Sequence, residues 1–154
     1  MPGKIDARLQ SLGIALPEPF APIANYVPFT RAGNLVIVSG QLPVKDGTVA
    51  QTGKLGAGVA VEAGKAAARL CFINLLAQLR EACGGDLDQV QVLRLGGFIA
   101  AVPEFSDHAA VMNGASDLAV EVFGEAGRHA RSTIGVPSLP RDASVEVEGM
   151  FAIG

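Results

Sequence analysis

The sequence predicts an α+β sandwich in which two amphipathic helices cover one face of a β-sheet. Hydrophobic spacing alternates along the chain between a period near two and one of three to four residues. The resulting order is strands, helix, strand, helix and two final strands, a pattern that fits helices segregated to one sheet face. With 154 residues, of which 49% are hydrophobic, the chain has the size at which one core buries about two-thirds of the unfolded surface. Residues 1–154 are therefore read as a single domain.

Pro2 to Leu12 reads as a short helix closed by Gly13, followed by the rigid, extended segment Leu16-Pro17-Glu18-Pro19-Phe20-Ala21-Pro22. Tyr26 to Arg31 and Leu35 to Ser39 flank the turn signal Ala32-Gly33-Asn34 and predict a hairpin. Gln41 to Val44 and Gly47 to Val49 predict a second one through Lys45-Asp46-Gly47. The stretch from Thr52 to Gly58 is glycine-rich but lacks the Gly-Lys-Ser/Thr ending of a phosphate loop, and is read as a flexible connection.

The first long helix is predicted from Val59 to Cys83. Ala68, Phe72, Leu75, Leu76, Leu79 and Cys83 recur at three and four residues, the stripe that buries one helix face. Gly84-Gly85 stops it by permitting a left-handed cap. Val90 to Ala101 reads as a strand. Ser106 or Asp107 can cap a second helix, on which Val111, Ala115, Leu118 and Val122 share a face until Gly124.

Composition excludes several classes. Only 18% of residues are charged, so the chain is not of the disordered type. A net charge of −3 and an isoelectric point near 5.3 leave no basic stripe for tracking phosphates, so no nucleic-acid partner is expected. Met1 to Asp6 lacks the apolar core of a signal peptide and no run of ~18 apolar residues offers a span, so a cytoplasmic protein without a membrane partner is expected. Cys71 and Cys83 lie twelve residues apart on one predicted helix. That is about 18 Å of rise against the ~7 Å a disulfide allows, so they read as small buried hydrophobes. With only His108 and His129 beside them, no metal site is expected.

The last quarter carries the chemistry. Arg131 to Val136 and Ser144 to Gly149 read as two strands joined by a tight reversal at Leu139-Pro140-Arg141-Asp142. Arg131 opens one strand, while Glu146 and Glu148 share a face of its partner because side chains two apart in a strand point the same way. Such charges can form a polar site or ordinary ion pairs, and spacing alone leaves both open. His129 is read as a surface residue. Gly40, Gly96, Gly97, Gly135 and Gly149 fall in or beside predicted strands, which points to close approach by a partner or ligand, or to strand twisting.

Ala130-Arg131-Ser132, with Leu139-Pro140 and Val145-Glu146-Val147-Glu148, resembles the signature of the Rid (YjgF-like) family of reactive-intermediate imine deaminases. Asn25-Tyr26-Val27-Pro28 resembles its early Pro-Tyr motif, and Ser39-Gly40-Gln41-Leu42-Pro43 its Ser-Gly-Gln-(Ile/Leu)-Pro strand end. The helix from Phe105 to Phe123, with Asn113, resembles its second helix. The resemblance runs from Asn25 to Ile153. It implies a chorismate-mutase-like fold with a mixed sheet, a homotrimer with clefts at the subunit interfaces, and hydrolysis of 2-aminoacrylate-like enamines and imines to 2-oxo acids and ammonia without a cofactor.

On these matches Arg131 would anchor the substrate carboxylate and Glu146 would orient or activate water, with Glu148 as its competitor for that role. Tyr26, Gly40, Asn113 and Thr133 would line the pocket. Thr133 stands where typical deaminases carry Cys, and residues 1–22 are additional to the compact deaminases, which marks a divergent branch. Non-catalytic binding of small carboxylates and an endoribonuclease activity are the alternatives. The acidic balance and the few aromatics for base stacking oppose the second.

Overall fold

The computed structural model describes residues 3–19 and 24–154. The predicted helix start at Pro2 and the Phe20-Ala21-Pro22 end of the proline-bearing segment lie outside them. Helix α1 (Lys4–Ser11) buries Ile5 and Leu9, four residues apart on one face. Its first backbone N–H groups, from Lys4 and Ile5, donate to the Asp88 carboxylate at 2.9 and 2.8 Å. These bonds hold the Asp88 carboxyl below its usual range.

Both hairpins form with shifted bounds, β1 starting later than predicted and β2 running on to Gln41. Strands β1 (Phe29–Ala32) and β2 (Leu35–Gln41) pair antiparallel across Gly33-Asn34. Tyr26 lies before β1, not within it. Strands β3 (Val44–Lys45) and β4 (Thr48–Val49) are joined by Asp46 and Gly47, both at positive φ as a type I′ turn requires. The glycine-rich stretch is no free loop. Its strands β5 (Lys54–Leu55) and β6 (Gly58–Val59) pair in parallel, Val102 N–H donates to Leu55 O at 3.1 Å, and the Ser144 hydroxyl donates to Gly53 O at 2.8 Å. Neighbouring segments take up its backbone polar groups, which fixes it in place.

Helix α2 (Val61–Ala82) buries the predicted Ala68, Phe72, Leu75, Leu76 and Leu79 completely and Cys71 with them, while Cys83, just past its end, is half-buried. It ends in a Schellman cap: Gly85 N–H donates to Arg80 O at 2.9 Å and Gly84 N–H to Glu81 O at 3.2 Å, with Gly84 at φ +66°. Strand β7 (Val90–Ala100) follows, then α3 (His108–Phe123), which buries Val111, Ala115, Leu118 and Val122 as predicted. Asp107 occupies the position before α3 without a side-chain cap bond. A Cβ on Gly114 would collide with Lys65 O of α2, so this glycine sets how closely the two helices pack.

Strands β8 (Ala130–Val136) and β9 (Val145–Ile153) complete a five-stranded mixed sheet of order β1-β2-β9-β7-β8. Here the structure departs from the sequence reading. The two last strands do not pair with each other: β7 inserts between them, antiparallel to β9 and parallel to β8. Each gains a buried neighbour by that choice, since Val92, Leu95 and Ile99 of β7 join Val145, Val147 and Phe151 in the core under α2 and α3. The opposite sheet face carries Ile37 and Ile134, 43% and 52% exposed. The strand glycines have occupants within the chain. Space beside Gly40, Gly96, Gly97, Gly135 and Gly149 is taken by the side chains of Glu146, Glu148, Met112, His108 and Phe151.

Candidate functional site

The predicted site residues fall into two clusters. The first lies on the helix side of β8, the edge strand. Arg131 pairs in register with Leu95, whose side chain is in the core, so its guanidinium is directed toward α3. There Nη1 donates to Asn113 Oδ1 at 2.8 Å and to Ser116 Oγ at 3.0 Å, and Nη2 makes a long bond of 3.4 Å to Ala109 O. These partners are neutral. Among the described residues no carboxylate lies within ion-pair distance of Arg131, so its charge is uncompensated. The two Nη1 hydrogens are committed, which leaves Nε–H and an Nη2 hydrogen as a fork for a carboxylate.

Thr133, two residues on, shares this face. Its Oγ1 is buried without a hydrogen-bond partner among the described residues, a cost that a bound polar group would relieve. Gly135 continues the row, about 13 Å along β8 from Arg131 at ~3.3 Å per residue. It opens onto a cleft of about 600 Å³ lined by Lys54, Phe105, His108 and Val136 among others.

The second cluster lies on the other sheet face. Glu146 and Glu148 alternate with core-facing Val145 and Val147, as their spacing predicts. Glu148 approaches Arg94 Nη1 at 3.4 Å, while among the described residues Glu146 has no cationic partner and lies against Gly40, where a Cβ would strike its carboxylate. Burial, and then the charge of Glu148, push the Glu146 carboxyl above its usual range. The β-bulge in β2 between Val38 and Gln41 carries Ser39 and Gly40 beside it. Ser39 ties down the segment holding Tyr26: its hydroxyl donates to Val27 O at 2.8 Å and its N–H to Pro28 O at 2.9 Å. Tyr26 is 48% exposed.

Asn113, Thr133 and Arg131 are thus brought together, and Gly40 with Glu146, but Arg131 and Glu146 are not. The expected pairing of their charges on neighbouring strands does not occur, because β7 separates β8 from β9 and the two side chains leave the sheet on opposite sides. Sequence reasoning also missed Ser116 and misplaced His129. Ser116 lies three residues after Asn113 and so shares its helix face; His129 lies two before Arg131 in extended chain. His129 is part-buried and hydrogen-bonded through both ring nitrogens, to Gly127 O at 2.6 Å and Ser116 Oγ at 2.9 Å. Among the described residues, no group of three or more His, Cys, Asp or Glu is placed to hold a metal ion, and no helix is long and apolar enough to cross a membrane.

A five-stranded mixed sheet with α2 and α3 packed on one face is the architecture of chorismate-mutase-like α+β domains, and here its edge strand carries the partly buried Arg131. Residues 6–152 match the family model described as "YjgF/chorismate mutase-like, putative endoribonuclease", and the chain belongs to this family. It is 47% identical over 153 residues to protein TCP17 of Trypanosoma cruzi, covering 98% of this chain and 95% of that protein. It is similar to the crystal structure of the protein Atu1372 from Agrobacterium tumefaciens, with 49% identity, a TM-score of 0.91 and coverage of 97% and 92% of the two chains. A structure from Shewanella oneidensis, described as "a putative endoribonuclease", matches with 38% identity, a TM-score of 0.93 and coverage of 99% and 100%.

Proposed function

We propose that the protein hydrolyses small 2-imino acids, or the enamines in equilibrium with them, to 2-oxo acids and ammonia. The observation that carries this reading is the uncompensated guanidinium of Arg131, held by Asn113 and Ser116 with a donor fork left over. A site that fixes a cation with neutral partners is suited to an anion, and a planar fork fits a carboxylate.

In the proposed reaction the carboxylate docks on Arg131, near the Thr133 hydroxyl. Water adds to the electrophilic carbon of the protonated C=N group and loses a proton to Glu146, giving a tetrahedral carbinolamine. That proton moves to the amine nitrogen, the C–N bond breaks, and ammonia leaves as the carbinolamine hydroxyl passes its proton to Glu146 and the C=O bond forms. The elevated Glu146 carboxyl is suited to these transfers, because a general base works best with its pKa close to the working pH.

Arg131 and Glu146 face away from each other within one chain, so a site using both draws them from two copies. We therefore propose an oligomer, a trimer by resemblance, in which the Arg131 edge of one subunit meets the Gly40–Glu146 face of the next. The exposed Ile37 and Ile134 on that face support such packing. Turnover of freshly generated 2-iminopropionate, measured as pyruvate and ammonia release, tests the reaction. Binding of pyruvate without turnover would select the alternative, a non-catalytic carboxylate-binding protein. The endoribonuclease activity in the names of relatives is opposed here by the net charge of −3.

A further inference from the structure

We infer that His129 is a positioning residue for Arg131, acting through the hydroxyl of Ser116. The inference rests on the reading of Arg131 as the carboxylate anchor and extends it to the groups that aim the anchor. The chain of bonds is continuous. Gly127 O can only accept, so the 2.6 Å contact requires His129 Nδ1 to carry the hydrogen. In the neutral ring Nε2 is then an acceptor, and the Ser116 hydroxyl, 2.9 Å away, donates to it. With its hydrogen turned toward His129, Ser116 Oγ presents its lone pairs to Arg131 Nη1 at 3.0 Å.

The direction of each bond follows from the one before. A serine hydroxyl free to rotate would donate part of the time toward whatever acceptor solvent offered, and would hold the guanidinium loosely. Asn113 binds the same Nη1 at 2.8 Å, so with both acceptors fixed, the plane of the guanidinium and its Nε/Nη2 edge have one orientation. The hydrogen bonds of His129 go to Gly127 and Ser116 and not to Arg131. Its effect is on geometry.

The test uses the full-length protein and the variants Ser116→Ala, His129→Leu, the double variant and Ser116→Thr, with folding checked by circular dichroism. Nitrogen-15 NMR of the ligand-free protein should show the Nδ1–H tautomer at His129. It should also show distinct Arg131 guanidinium signals, assigned by their loss in Arg131→Lys, that broaden in Ser116→Ala and His129→Leu. Calorimetry with pyruvate should show each single variant binding about fivefold to tenfold more weakly, the scale of one hydrogen bond. The double variant should be no weaker than the worse single, since both break one chain, and Ser116→Thr should keep most of the affinity.

An Nε2–H tautomer, guanidinium signals indifferent to both substitutions, or additive losses in the double variant would overturn the inference. If the NMR coupling is present but the unsubstituted protein binds no 2-oxo acid, the relay stands and the proposed substrate falls.

Discussion

Arg131 and Glu146 stand on opposite faces of one sheet, with β7 between their strands. The guanidinium is held on the helix side by Asn113 and Ser116, and the carboxylate rests against Gly40 on the other. Within a single chain they cannot act on the same small molecule.

Subunit mixing tests the consequence. Arg131→Ala and Glu146→Gln should each be strongly impaired alone, yet co-expressed chains should regain about a quarter of the unsubstituted activity. In a closed ring of randomly assorted subunits, that is the share of interfaces receiving an intact Arg131 from one chain and an intact Glu146 from the other. No recovery in purified mixed oligomers would mean that the two groups do not build a shared site between subunits.

Arg131→Lys should be nearly as damaging as Arg131→Ala. Lysine keeps the charge but offers a point donor in place of the fork and cannot span Asn113 and Ser116 as Arg131 does. Loss of one charge-assisted bond, roughly 1.5–3 kcal/mol, should weaken pyruvate binding about tenfold to a hundredfold. A folded Arg131→Ala protein that binds pyruvate normally would remove the residue on which the proposed function rests.

Glu146→Gln should slow imine hydrolysis and spare carboxylate binding, because the amide keeps shape but accepts no proton. Activity of the unsubstituted protein should decline as pH falls through the raised Glu146 pKa, since the base is then protonated. Glu148→Gln should move that acidic limb to lower pH, because the neighbouring negative charge that raises the Glu146 pKa is gone and Arg94 is left unpaired. If Glu148→Gln abolishes turnover and Glu146→Gln does not, the two roles are exchanged.

The same carboxylate sets a sign for stability. A carboxyl with a raised folded-state pKa binds its proton more tightly when folded, so its ionisation opposes folding as pH rises through that pKa. Glu146→Gln should therefore melt at the same temperature as the unsubstituted protein, or higher, near neutral pH. The advantage should vanish in acid below the pKa. A lower Tm at neutral pH would show that the charge is compensated in the folded state.

Gly114→Ala should destabilise the fold by about 1–3 kcal/mol, because the added methyl group meets the Lys65 carbonyl and forces α2 and α3 apart. For a domain of this size that corresponds to roughly 2–4 °C in Tm per kcal/mol. An unchanged Tm would place the helices further apart than the structure does.

The sequence by itself determined what repeats locally. The stripe from Ala68 to Leu79, the Gly84-Gly85 cap, the Asp46-Gly47 turn and the shared face of Glu146 and Glu148 all follow from periods and backbone preferences within a few residues. Motif order placed the chain in its family and picked out Arg131, Asn113, Gly40 and Glu146. Only the tertiary structure decided which of these meet. Side-chain period two fixes the faces within one strand but says nothing of which strand lies beside it, or which of its faces joins the core. That choice was made about 40 residues upstream of Arg131, where β7 starts, because inserting β7 between β8 and β9 buries Leu95 and Ile99 with Val145 and Val147. The same long-range packing sets Ser116 and His129 against Arg131. Neither residue has a local pattern that reports it, since a hydrogen-bond chain across α3 and β8 exists only once the helix has docked on the sheet.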